Sequence, residues 1–182
     1  MSDSSIEIEV LFRQAHVTPS DICEHVQRMR KLAERCAHIT EMGVRTGVST
    51  TAWIAACPKK LVCYDMQRRA EVDLLERSAK AAGVNFVFHI ENVLHVTIEK
   101  TDLLFIDTLH TYDQLRRELS LHAAKVRKYI VLHDTETFGQ NGELPGTRGL
   151  WPAIEEFLAD NPRWIISERR LNNNGLTILK RR

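Results

Sequence analysis

Leu103-Leu104-Phe105-Ile106-Asp107-Thr108-Leu109-His110-Thr111-Tyr112 is the stretch on which the reading of the fold turns. Four apolar residues run without a break and an acid follows at once. Such a run marks a strand covered on both faces, as in a parallel sheet. Thr111-Tyr112-Asp113-Gln114 then has the form of a capping box, and Tyr112, Leu115, Leu119, Ala123 and Val126 recur at helical spacing behind it. Strand, acidic loop and capped helix follow directly on one another.

The same beat extends in both directions. Thr18-Pro19-Ser20-Asp21 predicts the start of an N-terminal helix over about 18–37, with Ile22, Val26, Met29, Ala33 and Cys36 on its inner face. His38–Met42 reads as a strand ending in Gly43 and Gly47, and Ser49-Thr50 as the cap of the helix that follows. Leu61–Tyr64 is a strand stopping at Asp65. A charged helix over about 69–82 is closed by Gly83, and Asn85–Ile90 is the next strand. Downstream, Tyr129–Leu132 is a strand, and a loop from Gly139 to Gly149 leads to a helix over Pro152–Leu158. Trp164–Ile166 and Leu176–Leu179 close the chain as strands joined by Asn172-Asn173-Asn174-Gly175. This pattern predicts an α/β fold with a doubly wound, mostly parallel sheet, an antiparallel terminal strand pair and helices on both faces. In such sheets ligands sit beyond the carboxyl ends of the strands.

Composition is that of a globular chain: 182 residues, 43% hydrophobic and 27% charged. With no Pro/Gly-rich linker or repeat, one domain over 1–182 is expected. The net charge of +1 supplies no broad field for nucleic acid or an anionic membrane, and Arg68, Arg69, Lys180, Arg181 and Arg182 read as solvated surface. Cys23, Cys36, Cys57 and Cys63 form no C-x-x-C pair, which fits reduced thiols. Met1–Ser5 is polar and acidic where a signal peptide would be basic and then apolar, and no apolar run nears the roughly 18 residues of a membrane span. A cytoplasmic location is therefore expected.

The first strand ends in Glu41-Met42-Gly43-Val44-Arg45-Thr46-Gly47-Val48-Ser49. Arg45 stands where a dinucleotide fingerprint needs its second glycine, which disfavours a pyrophosphate. An acid, a glycine for close approach and a second glycine before a helix suit a nucleoside with a cationic amino-acid tail. Asp65 ends the second strand, 24 residues after Glu41, where a carboxylate can accept from both hydroxyls of a ribose.

On these residues the chain resembles the class I S-adenosylmethionine-dependent methyltransferases, over roughly residues 35–180. The resemblance implies a Rossmann-like fold and S-adenosyl-L-methionine as cofactor. It places Glu41, Gly43, Gly47 and Ser49 in the first cofactor motif, Asp65-Met66 at the ribose, Glu91-Asn92 at the adenine and Asp107 against the cofactor's reacting end.

Two further segments bear on the chemistry: Ile106-Asp107-Thr108-Leu109-His110-Thr111-Tyr112 and Val131-Leu132-His133-Asp134-Thr135. Each sets an acid just beyond a buried strand. Adjacent carboxylates repel unless a proton or cation lies between them. Asp107, Asp134 and His133 form the candidate ligand set for Mg²⁺ or Mn²⁺, which would acidify a bound hydroxyl. His110 is placed to take the released proton, making His110 and Asp107 the candidate catalytic pair. These segments resemble the small metal-assisted O-methyltransferases, including those of macrolide sugars and the cephalosporin hydroxylase-like group. The chain departs from them in having Thr108-Leu109 for Gly-Asp and Thr135 for a second acid or Asn. His16, His25, His38, His89, His95 and His122 show no such convergence, and Tyr112 and Trp151 suit either an acceptor pocket or the core.

The expected function is methyl transfer to a hydroxyl of a small glycan-like or secondary-metabolite acceptor, in a pocket formed by the polar loop 135–151 and the N-terminal helix. No nucleic-acid or membrane partner is expected, and a homo-oligomer is compatible with the sequence. The competing classes are a nucleotide-dependent oxidoreductase on a dinucleotide fold, a non-catalytic S-adenosylmethionine-binding domain and a nucleic-acid methyltransferase. Against the last stand the near-zero charge and the lack of an Asn/Asp-Pro-Pro-Tyr/Phe stretch after the fourth strand.

Overall fold

A computed structural model describes the backbone from Asp3 to Arg182 and side chains from Glu7 onward. Five parallel strands form its centre: β1 (His38–Met42), β2 (Lys60–Asp65), β3 (Asn85–Ile90), β4 (Thr101–Ile106) and β5 (Val126–His133). β6 (Trp164–Arg170) and β7 (Leu176–Arg181) complete a seven-stranded sheet of order β3-β2-β1-β4-β5-β7-β6. β7 runs antiparallel to both β5 and β6, the terminal pair that the tight Asn-rich turn predicts.

The alternation along β4 shows why its apolar run is unbroken. Leu103 and Phe105 pack with α1 (Asp3–Val17), α2 (Val26–Ala33), α3 (Val48–Ala55) and α4 (Glu71–Ala81) on one face. Leu104 and Ile106 pack with α5 (Tyr112–His122) and α6 (Leu150–Asp160) on the other. A strand covered on both sides has no face to leave polar. Among the described residues no helix is long and apolar enough to cross a membrane.

The N-terminal region differs from the sequence reading. α1 occupies Asp3–Val17, a span assigned no element, where the alternation Ile6-Glu7-Ile8-Glu9-Val10 reads like a strand. Ile8 and Phe12 nonetheless fall on one helical face and are buried. Thr18-Pro19 ends this helix instead of starting the next: Thr18 N–H donates to Gln14 O at 2.8 Å. A proline that cannot continue a helix serves as a stop as readily as a start. The expected 18–37 helix shrinks to a 3₁₀ turn, Cys23–His25, and α2. Val126, expected on the inner stripe of α5, opens β5 after the 3₁₀ turn Ala123–Lys125.

The two presumed caps also resolve differently. α3 begins at Val48 behind Gly47 in a left-handed conformation (φ 80°), and the Ser49 and Thr50 hydroxyls turn inward. At α5 only half of the capping box forms. Thr111 Oγ1 accepts from Gln114 N–H at 3.4 Å, but the Gln114 side chain donates to Glu118 Oε1 at 2.7 Å.

Candidate active site

The sheet order sets the ends of β1, β2, β3 and β4 around one cleft of about 440 Å³. Gly43, Arg45, Asp65, Met66, Glu91, Asn92, Asp107 and His110 all line it. Of the residues expected at the cofactor, Gly43, Asp65, Met66, Glu91, Asn92 and Asp107 are thus brought together. Gly43 meets a backbone neighbour: a Cβ there would lie 1.8 Å from the carbonyl oxygen of Asp107, and its φ is 85°. Only glycine lets β1 turn this close to the end of β4.

Asp65 has a second task beside any ribose. Its Oδ2 accepts from the Val44 and Arg45 backbone N–H groups at 2.8 and 2.9 Å, and its Oδ1 from Gln67 N–H at 3.0 Å. The carboxylate therefore holds the glycine loop against the end of β2.

Glu41, Gly47 and Ser49, also expected at the cofactor, lie off the cleft wall. The Glu41 carboxyl is fully buried beneath the loop. Ser49 Oγ (2.6 Å) and Trp53 Nε1 (3.0 Å) donate to Oε1, and Thr50 Oγ1 (2.7 Å) and Cys63 Sγ (3.2 Å) to Oε2. Burial pushes its pKa up to about 7 in spite of these four donors. The arrangement anchors the start of α3 to β1, and Gly47 packs against Leu75. The carboxyl could not show this in sequence, because the donors come from α3 and from the next strand.

The ends of β4 and β5 form a different centre. His110 Nε2 lies 3.1 Å from Asp107 Oδ1 and 3.0 Å from Asp134 Oδ2, and its Nδ1 lies 3.0 Å from Glu143 Oε2. Phe138 stacks on the ring at 4.9 Å. Burial disfavours the imidazolium, but the Asp107, Asp134 and Glu143 carboxylates outweigh it and raise the His110 pKa. Carboxylate oxygens facing both nitrogens favour the imidazolium, and the neutral ring able to accept a proton prevails only above the raised value. Burial likewise opposes ionisation of Asp107, yet hydrogen bonds from His110 and His133 hold it below the usual carboxylate range. Asp134 moves up, through burial and the Asp107 charge. Its backbone sits at φ 58°, an uncommon setting for a non-glycine residue.

His133 takes another place. Its buried ring donates through Nε2 to Asp21 O at 3.1 Å, with Asn173 O at 3.3 Å, so the β6–β7 turn and the segment before α2 hold it. Nδ1 is 3.4 Å from Asp107 Oδ1. The ligand atoms that converge within 4.8 Å belong to Asp107, His110 and Asp134, so His110 takes the place expected of His133. Asp134 Oδ1 is buried without a partner, a free lone pair suited to a cation.

In sequence Glu143 adds only polarity to the loop 135–151. The loop folds back through Glu143 N–H to His110 O at 2.9 Å and Tyr112 N–H to Arg148 O at 2.9 Å. This contact spans 33 residues, and no local signal announces it. A larger cleft, about 560 Å³, lies between α5 and α6 and includes none of the expected site residues.

The cleft suits a nucleoside: its size is that of a small-ligand site, with exposed apolar side chains at Met66 and Leu109 beside the polar Asp65 and Asn92. Solved structures of similar fold bear on its use. An O-methyltransferase from Bacillus cereus in complex with S-adenosylhomocysteine superposes with a TM-score of 0.62 at 15% identity, covering 100% of this chain and 92% of that one. The N-methyltransferase NodS from Bradyrhizobium japonicum, also in complex with S-adenosylhomocysteine, gives 0.66 at 14%, covering 99% of each chain. A Burkholderia thailandensis 1,6-didemethyltoxoflavin-N1-methyltransferase gives 0.64 at 13%, covering 93% and 81%. At such identities the likeness is one of fold, and it spans both O- and N-methyltransferases. No protein of curated function matches the chain. The sequence profile of the family described as a methyltransferase domain matches residues 40–135, the span that contains the glycine loop, Asp65, Asp107, His110 and Asp134. The chain therefore belongs to the methyltransferase-domain family and is an S-adenosylmethionine-dependent methyltransferase.

Proposed function

We propose that this enzyme methylates a hydroxyl oxygen of a small polar acceptor, and that His110 takes the hydroxyl proton. The carrying observation is the imidazole of His110 on the cleft wall, with carboxylates 3.0–3.1 Å from both of its nitrogens. S-adenosylmethionine, when bound, supplies an electrophilic methyl group on its sulfonium. Gly43, Asp65, Met66, Glu91 and Asn92 hold the adenosyl part. Asp107 and Asp134 orient the imidazole and stabilise its charge once it has accepted a proton. The loop carrying Gln140, Asn141, Glu143 and Arg148 offers polar groups to a hydroxylated ligand.

A divalent cation is the second reading, favoured by the convergence of Asp107, His110 and Asp134 and by the unpartnered Asp134 Oδ1. Mg²⁺ or Mn²⁺ held there would lower the pKa of a bound hydroxyl. His110 Nε2 would then be a ligand and could not also receive the proton. The two readings are alternatives at one nitrogen.

Calorimetry with S-adenosylhomocysteine tests the cofactor. Binding is expected, and Asp65→Ala should weaken it by about 1.5–3 kcal/mol, the usual loss for a charged hydrogen-bonding group. No heat from the folded protein would end the proposal. Methyl transfer from labelled S-adenosylmethionine to a panel of hydroxylated small molecules tests the base. Activity that survives exhaustive chelation supports His110, while activity lost to chelator and restored by Mg²⁺ or Mn²⁺ supports the cation.

A further inference from the structure

Glu118 lies on the inner side of α5 between Leu115 and Leu119 and is fully buried. A leucine there would fill the same space without the cost of desolvating a carboxyl. Burial pushes its pKa up to about 7, and its Oε2 has no partner. Its other oxygen is engaged twice. Thr108 Oγ1 donates to Oε1 at 2.6 Å and Gln114 Nε2 donates to the same atom at 2.7 Å. Both donors line the cofactor cleft.

This geometry decides which end of the Gln114 amide faces the cleft. Turning the amide over would set its carbonyl oxygen about 2.7 Å from an oxygen already accepting from Thr108, a contact between two acceptors. An ionised Glu118 has no proton to bridge that contact, so its Oε1 can only accept. The amide orientation is therefore fixed by the carboxylate form of Glu118. Gln114 Oε1 is left as a free acceptor on the cleft wall.

Asn92 and Glu91 line the same cleft. Asn92 Oδ1 is committed to the N–H of Leu94 at 2.9 Å, where it caps the 3₁₀ turn Val93–His95. Glu91 Oε1 lies 3.8 Å from His89 Nδ1, beyond hydrogen-bond distance, so its carboxylate is a further acceptor beside that of Gln114. α5 is fastened to the same corner by His122 Nε2, which donates to Val93 O at 2.8 Å. The base of a bound adenosine carries one exocyclic amino group that needs an acceptor.

We infer that Gln114 accepts a hydrogen bond from the amino group of the adenine, and that Glu118 is the positioning residue that keeps its carbonyl oxygen turned into the cleft. The inference rests on S-adenosylmethionine being the ligand of this cleft. It makes the pair a selectivity device, since a base with a carbonyl at that position would meet oxygen against oxygen.

Calorimetric titration with S-adenosylhomocysteine and with S-inosylhomocysteine, whose amino group is replaced by a carbonyl, tests it. The wild type should prefer the adenosyl ligand by about tenfold or more, in keeping with rejection of an analogue that leaves a polar group unpaired. Gln114→Leu, at a half-exposed position, should bring the ratio close to one. Glu118→Leu should do the same by freeing the amide to turn, while Glu118→Gln should keep the preference, because its carbonyl oxygen can accept from both donors. A merely structural Glu118 would lower the melting temperature without moving the ratio, and that result overturns its role. An unchanged ratio in Gln114→Leu, with the adenosyl ligand still bound, overturns the inference alone. Failure of the wild type to bind either ligand overturns the cofactor reading as well.

Discussion

Glu41 and Asp107 stand at the ends of neighbouring strands, and Glu41 is in register with Phe105, two residues before Asp107. In sequence they look alike: each is an acid at the end of an apolar strand, close to a helix. Their surroundings separate them. Glu41 is enclosed by four donors from Ser49, Thr50, Trp53 and Cys63, none of which titrates near neutral pH with a positive charge. Asp107 shares its space with a second acid and two imidazoles, and its carboxyl borders an open cleft. Hydroxyl and indole donors satisfy an acid and immobilise it; imidazoles beside paired acids keep protons exchangeable. One region holds the loop still; the other surrounds the proposed base, His110, with groups that can exchange a proton.

The largest expected effect sharpens this contrast directly. His110→Ala should lower turnover by roughly 10²–10⁴-fold while changing S-adenosylhomocysteine affinity little, since a base acts in the transition state. Steady-state rates and calorimetry on the same preparation check it. His133→Ala is the comparison: if it abolishes turnover while His110→Ala does not, the roles of the two rings are exchanged.

Glu41 should respond in stability instead. Glu41→Leu strands four buried donors and should cost on the order of 3 kcal/mol, read as the shift in a urea unfolding curve. His110→Ala should cost much less in the same measurement. Equal losses would erase the distinction between the two regions.

The smallest effects concern pH. A His110 held above its ordinary value contributes stability that is present below about pH 6.5 and is lost as pH rises through the raised value. Turnover that needs its neutral form should rise over that same upper interval, with a midpoint above the ordinary ~6.5. A midpoint below it would point to a bound cation as the stronger influence. Glu41 is also raised, so its contribution is present below the unfolded carboxyl value of about 4.3 and fades as pH climbs to about 7. Glu41→Gln should remove that component, giving a flatter stability profile between these limits than the wild type. Asp107, held low, works the other way: its contribution exists above the unfolded carboxyl value and is lost on acidification. It is common to wild type and Glu41→Gln, so it cancels in their difference.

Much of this molecule follows from the chain read alone. The continuous apolar run Leu103–Ile106 requires cover on both faces, the alternation of strand and helix patterns requires parallel strands, and the Asn172–Gly175 turn requires an antiparallel end. Each of these is a local consequence of side-chain periodicity or turn chemistry, so nearby residues suffice to state it. The cleft residues Gly43, Asp65, Asn92, Asp107 and His110 were equally legible, because crossover topology places every strand's carboxyl end on the same edge. What the chain alone left undecided were partners distant in sequence. That Ser49 faces Glu41 instead of capping α3, that Glu143 reaches back to His110, that His133 is held by Asn173, and that Gln114 abandons its capping box for Glu118 all depend on which polar groups burial brings within hydrogen-bond reach. A side chain's periodic position says which way it points, but only the packed structure says what it meets there, and for acids and imidazoles the partner determines the charge.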